Sequence, residues 1–382
     1  MKSLLIKSIF LTFFFVPSFA SAQELVPEKN VTTKAEVLEI LKQTHETLPG
    51  LDVQVDMQTL KVKILQGEET GKTVTVENDY LNLKKGEVFY LTHKVDKLGG
   101  LDAYYVEGPD RISGILFFLA LFVACIIFFG GKQGVRGLFS LVLSFFFIIY
   151  ILLPGIIHGY SALWVSIGVA SLIIILGSYV THGFNKTTTV AVAGMIATTL
   201  VTGVLAFIAI KVTSLTGFST EESTYLNFNT RGHLDFAGLL LGGIIIGVLG
   251  ILYDAAIGQA VAVEELHHVG PHLPRSVIYK RAIRIGREHI GALINTLAIA
   301  YVGVSLPLLL LNTYSTESIL MTINQEMFAT EIIRILVGSI GLILAVPVTT
   351  LVATLVLVKN QKADQKVIES EIAAIDEVAH SH

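Results

Sequence analysis

The stretch DFAGLLLGGIIIGVLGILYDAAIGQAVAVEE, residues 235–265, decides the reading of this chain. It carries no charge between residues 236 and 253; Asp254 then interrupts an apolar run that continues to Val263. At about 1.5 Å of rise per residue, some twenty such residues cross the ~30 Å hydrocarbon core of a bilayer. Gly243, Gly247, Gly250, Asp254 and Gly258 follow one another at steps of three and four, so they share one helical face. A glycine stripe lets a second helix approach closely in lipid. Two placements of Asp254 follow. It points into protein, because a carboxylate facing lipid is costly, or it anchors the end of the span at the cytoplasmic headgroup level.

Composition supports the membrane reading. The chain has 382 residues, 52% hydrophobic and 15% charged, where a soluble domain carries about 25% charge. A polytopic α-helical membrane protein is expected. The net charge of −4 offers no basic footprint for nucleic acid. The single cysteine, Cys125, lies in an apolar span and has no intrachain disulfide partner.

Outward from the opening stretch, residues 1–22 read as a signal peptide. Lys2 and Lys7 supply the positive region, a short apolar core follows, and Ala20-Ser21-Ala22 is an A-x-A cleavage site. Residues 23–110 then form an extracytoplasmic β-rich domain. Val53, Val55 and Met57 alternate with polar residues, as do Leu60, Val62 and Ile64. Residues 34–41 suit a strand or a short helix, and residues 72–77, 88–95 and 103–106 are further strands. Gly67, Gly71 and Gly86 supply turns. A small barrel of OB or SH3-like kind is expected.

Residues 111–358 hold seven expected transmembrane helices: 112–130, 138–157, 162–180, 188–210, the opening stretch, 291–311 and 332–358. Residues 359–382 form a cytoplasmic tail. The basic residues fall on one side of this arrangement: Lys132 and Arg136, then Lys186, then Arg275, Lys280, Arg281, Arg284 and Arg287, then Lys359, Lys362 and Lys366. By the positive-inside rule that side is cytoplasmic, which agrees with a signal peptide that sends the β domain outside.

Polar residues within the spans are the functional candidates, because each needs a partner there. Asp254 and Asn295 come at similar depth, and a direct or water-mediated contact between them would mark a solute or ion pathway; the alternative for Asn295 is a hydrogen bond that fixes packing. Thr198 and Thr202 lie on a small, partly polar face that lines a conduit or packs a helix. Glu331 and Arg334, three apart, suit an ion pair along one helix. Pro307 and Pro347 break their helical ladders, as in transporter hinges and in static bundles. Glu264, His268 and His272 are metal-capable, although no H-E-x-x-H motif is present and a solvated face is the competing reading. The basic run YKRAIRIGREH, residues 279–289, suits anionic lipid headgroups.

Three segments together resemble one family: GVLGILYDAAIGQAVAVEEL (247–266), GREHIGALINTLAIAYVGVSLPLLLL (286–311) and EIIRILVGSIGLILAVPVTTLVATL (331–355). They are similar to the signatures of the YibE/F-like membrane proteins, and KVKILQGEETGKTVTVEND (61–79) resembles the region before that family's first span. The resemblance implies a bacterial inner or cytoplasmic membrane protein and no particular reaction. Two functions are expected from the whole. One is a permease-like transporter of a small solute or ion. The other is a non-transporting scaffold or receptor whose outer β domain binds a protein partner. No nucleophile–base pair is visible, so neither an enzyme nor a cofactor is expected.

Overall fold

The computed structural model describes residues 29–47, 54–79, 81–95, 102–314 and 316–359. The expected signal peptide (1–22), and all of the expected tail (359–382) except Lys359, lie outside the described residues. The chain divides into two units, Met1–Leu121 and Phe122–His382.

Among its described residues the first unit has five strands: β1 (Lys29–Thr47), β2 (Gln54–Ile64), β3 (Thr73–Asn78), β4 (Val88–Val95) and β5 (Asp102–Pro109). They form one antiparallel sheet in the order β3-β2-β1-β4-β5. Residues 34–41 are strand, because β1 runs through them and pairs on both sides. Its first half meets β4 and its second half meets β2, with irregularities between Val37 and Glu39 and between Ile40 and Lys42. Such bulges bend a long strand so that it can serve two neighbours. The sheet thereby curls into a half-barrel whose ends, β3 and β5, are bridged by side chains. Lys72 Nζ donates to the Tyr104 hydroxyl at 2.9 Å, and that hydroxyl donates to Glu69 Oε2 at 2.9 Å.

Ala35, Leu60, Val62, Ile64, Phe89 and Leu91 fill the core of this sheet. Of the expected alternating row Val53, Val55 and Met57, Val53 lies outside the described residues; Met57 is half-buried, and the buried neighbour of Leu60 is Gln58, 1% exposed. Gln58 is admitted because all its bonds are made. Its Oε1 accepts from Leu83 N and Asn78 Nδ2, and its Nε2 donates to Leu83 O and Asn82 Oδ1. A buried amide fully bonded in this way costs little and fixes the loop it holds.

Lys34 Nζ donates to Asp110 Oδ2 at 2.7 Å and ties β1 to the chain just before the first helix. That hydrogen bond holds the Asp110 carboxyl below its ordinary range and lifts the Lys34 ammonium. A depressed carboxylate contributes stability that is complete above its unfolded pKa of about 4 and is lost as pH falls through its lower folded value.

The second unit is helical. The first helix, α1 (Ile112–Phe147), leaves helical geometry at Gly131, where φ is 51° and ψ is −137°. A Cβ placed on Gly134 would run into the carbonyl oxygen of Ile126. In a straight helix residues eight apart are separated by about 12 Å, so the chain doubles back at Gly131. The helix continues through a π turn (Ile148–Leu152) into α2 (Leu153–Ile157).

The rest comprises α3 (Ala162–His182), α4 (Lys186–Val212), α5 (Glu221–Asn229), α6 (Phe236–Val269), α7 (Arg275–Val304), α8 (Leu306–Thr313), α9 (Ile319–Asn324) and α10 (Glu326–Leu357). Among the described residues five helices are long and apolar enough to cross a membrane, or six when α7 and α8, bent by 63° at Ser305, count as one span. The basic run and the sixth expected span are not separate elements as expected. The run and the span as far as Val304 are one continuous helix, α7, because Val277, Ile278, Ala282 and Gly286 give the basic half its own buried face, and the rest of the expected span lies past the bend in α8.

At the centre α4, α6 and α10 pack on one another, with α7 against α10 and α6, and α3 against α6 and α4. The α4–α10 seam is built from reciprocal glycine–threonine contacts. A Cβ on Gly194 would collide with Thr349, and one on Gly341 would collide with Thr202. Thr202 and Thr198 are buried, and each hydroxyl donates to the carbonyl four residues back on its own helix, at 2.8 Å. At the far end of α10, Arg275 Nε donates to Val358 O and its Nη2 to Leu355 O, both at 2.9 Å, closing orphan carbonyls.

Two outcomes are expected. Gly341→Val forces α4 and α10 apart and lowers stability by about 1–3 kcal/mol. Gly258→Ala, with open space around it, is neutral or gains up to about 1 kcal/mol from helix propensity. Thermal melts in detergent distinguish them; equal losses would sink the seam. In the β unit, Asp110→Asn removes the acid-sensitive part of the stability. Hydrogen exchange at β1 amides, corrected for intrinsic rates, should then change less between pH 7 and pH 3.5 than in the parent chain.

Candidate functional site

A cavity of about 770 Å³ lies where α5, α6, the α7–α8 bend and α10 converge. Its floor holds an ion pair. Arg334 Nη1 donates to Glu331 Oε1 at 2.8 Å, with the two side chains 24% and 23% exposed. Arg334 lies eight residues into α10, a rise of about 12 Å. Its guanidinium also sits 5.6 Å from the centre of the Tyr301 ring, a cation–π distance. Charge so deep in an apolar bundle persists only when paired. The pairing is incomplete: Glu331 Oε2, Arg334 Nε and the Thr330 hydroxyl are buried with no hydrogen-bond partner.

The surrounding elements are fixed by local chemistry. Pro307 has no N–H, so the Gly303 carbonyl lacks its helical donor and the chain turns between α7 and α8. Asp235 caps α6 by accepting from Gly238 N at 2.9 Å. Thr220 and Ser223 form a reciprocal capping box that starts α5. Glu326, first residue of α10, accepts from the backbone N–H groups of Thr216 and Gly217, each at 2.7 Å, and from the Thr216 hydroxyl. That carboxylate clamps the loop leading to α5. Gly217, with φ of 75°, passes so close to the Phe236 carbonyl that no Cβ fits. Along the rim, Glu221 and Glu222 line the cavity from the first turn of α5. The Glu222 carboxyl is held below its ordinary range by its own backbone N–H first and by Thr220 second.

The residues expected to mark a pathway are placed differently. Asp254 and Asn295 are both exposed on the bundle surface, and among the described residues no hydrogen bond joins them. The reason lies in the phase of α6. Its buried stripe is the aliphatic one, through Ile245, Val248, Leu252, Ala256 and Val263, and the face of Gly250, Asp254 and Gly258 is left open. Thr198 and Thr202 are buried, and Thr202 packs against Gly341 of α10. Glu264, His268 and His272 are not brought together. No group of three His, Cys, Asp or Glu residues able to hold a metal occurs among the described residues, because the helix break at Gly270 separates His272 from the other two.

Sequence reasoning missed Glu326, Thr330, Tyr301 and the Glu221–Glu222 rim. It also missed Gln259, 3% exposed between α6 and α10, whose Oε1 lies 2.8 Å from the Thr350 hydroxyl that donates to it. A lone amide in an apolar run was the available signal for Gln259. For Glu326, which accepts from residues some 110 positions away, the sequence holds no local signal.

The long apolar helices among the described residues point to a membrane protein. Residues 118–359 match the family model described as YibE/F-like protein, and the chain belongs to that family. No curated protein and no solved structure gives a significant match.

Glu326→Ala should release the loop at Thr216–Gly217 and cost about 1.5–3 kcal/mol, as loss of hydrogen bonds to a charged group does. The check is faster hydrogen exchange confined to residues 216–220, together with a lower Tm. A lower Tm with exchange unchanged there would mean that Glu326 acts elsewhere.

Proposed function

We propose that this chain is a permease-like protein of the bacterial cytoplasmic membrane that binds and moves a small solute or ion. In this reading the β domain lies outside and the C-terminus in the cytoplasm. The observation that carries it is the cavity at the α7–α8 bend with the Arg334–Glu331 pair in its floor. A charge pair beside a hollow, at a helix broken by Pro307, is the arrangement in which transporters place their sites. Seven spans are supported by the two breaks: the reversal at Gly131 makes α1 two spans, and the bent α7–α8 pair supplies another. Orientation is supported by the basic residues, which collect at the end of the bundle opposite the cavity. The run at residues 279–289 would there face anionic headgroups.

A scaffold or receptor is the second reading, and one observation favours it. The half-barrel leaves β3 and β5 as sheet ends, and an unpaired strand edge can accept a partner strand.

Cysteine accessibility separates the two. With Cys125→Ala as background, Ser305→Cys places a thiol in the cavity wall. A permease exposes that thiol to a membrane-impermeant reagent in intact cells and also in inverted vesicles. Labelling from the outer face alone would overturn transport and leave a receptor cavity.

A further inference from the structure

The proposed solute site has a charge character that narrows its ligand. Three carboxylates, Glu221, Glu222 and Glu331, line the cavity against one guanidinium, Arg334. Arg334 is already committed: it bonds Glu331 and covers the Tyr301 ring. It therefore neutralises the Glu331 carboxylate, and its Nε is buried. Glu221 and Glu222 have no cationic partner among the described residues, and they project from the first turn of α5 at the rim. The α7 helix ends at the cavity through Val304 and Ser305, so its carbonyl end adds negative potential. A Gly303 carbonyl without a helical donor strengthens that end.

The remaining wall is apolar, with Leu226, Phe236, Leu240, Leu308 and Met327 among its residues. That argues against a bare metal ion, which takes six to eight close oxygen ligands in the calcium case, and no carboxylate cage of that kind occurs among the described residues. The volume also suits a small molecule. Phe236 offers an aromatic ring, braced edge-on by Phe218 at 5.3 Å, and aromatic faces attract ammonium groups. Thr330 lines the same cavity, is 5% exposed, and its hydroxyl has no hydrogen-bond partner. A polar group buried and unbonded beside an acidic hollow points to a partner that arrives from outside the chain.

We infer that the cavity at the α7–α8 bend binds a small organic cation, an ammonium group on an apolar body, with Glu221 and Glu222 as its counter-charges and the Phe236 wall receiving the body. The inference rests on the permease reading for its location and adds the class of ligand. An inorganic cation would use the carboxylates and leave the apolar wall unused; a carboxylate ligand would face the two uncompensated charges of Glu221 and Glu222.

The experiment is a thermal-shift titration of the full chain in detergent with butylammonium and tetramethylammonium. Potassium, magnesium and butyrate are run alongside at equal ionic strength. Glu221→Gln/Glu222→Gln is compared with the parent, and because both glutamates are exposed the double variant keeps its fold. The expected result is a saturable rise in Tm of a few degrees with the ammonium ions. In the double variant the midpoint should move at least tenfold higher, and butyrate should have no effect on either protein. Stabilisation by butyrate, by potassium or magnesium alone, or equally in both proteins overturns the inference, as does no response to either ammonium ion. Labelling of Ser305→Cys from both faces with no ammonium response removes the ligand class and keeps the permease. Ammonium binding with labelling from one face keeps the ligand class and removes transport.

Discussion

The helical unit depends on how closely α4 and α10 approach. Gly194 receives Thr349, and Gly341, eight residues earlier on α10, receives Thr202, eight residues later on α4. The two contacts are mirror images, as they must be when antiparallel helices carry one small residue and one hydroxyl each, about 12 Å apart along the axis. Backbones at such a distance leave no room for larger side chains and no room for water. The hydroxyls are nonetheless largely satisfied, because Thr198, Thr202, Thr350 and Thr354 bond back to their own helices. The seam is held by shape and dispersion, and no hydrogen bond joins α4 to α10 among the described residues.

That arrangement explains what could be read from the chain and what could not. The apolar runs fix where helices lie, because a bilayer demands length and apolarity and little else. The end of the first span at residue 130 and the break at Pro307 were equally legible, since glycine and proline carry their backbone preferences with them. The facing of helices was not. Residues 243–258 of α6 carry both a glycine stripe and an aliphatic stripe, and either could have been the buried one. The aliphatic stripe wins because it interlocks with α4 and α10 at full contact, whereas the glycine face meets one side chain, Tyr301, at Gly247. Asp254 follows the losing face outward. Gln58 shows the same limit in the β domain: alternation gives its face, while the loop that satisfies it closes from residues 78–83.

Charged residues were harder to assign than apolar ones. Glu331 and Arg334 advertise an ion pair by spacing alone, but spacing cannot show that a cavity opens beside them. Their significance comes from Glu326, which pins the loop before α5 and so holds Glu221 and Glu222 at the rim. Arg275 reverses the case. By its sign it belongs with the topology-setting cations, yet its guanidinium caps the last carbonyls of α10. Its charge and its hydrogen bonds thus meet at one helix terminus.

The two ends of the bundle are therefore unequal. At the α7–α8 bend the interior is hollow and carries unsatisfied polar atoms. Toward Arg275, Gln259 and Thr350 join α6 to α10, while the Thr349 hydroxyl beside them is buried without a hydrogen-bond partner. Parting α4 from α10 would break no hydrogen bond between them, whereas parting α6 from α10 would break the one between Gln259 and Thr350. A path through this protein, if the cavity is its entrance, is therefore least obstructed along the glycine–threonine seam. There the hydroxyls of Thr202 and Thr349 already lie beside backbone, and lateral separation of two helices exposes polar groups without stranding any charge. Closing the seam again needs only the shape that made it.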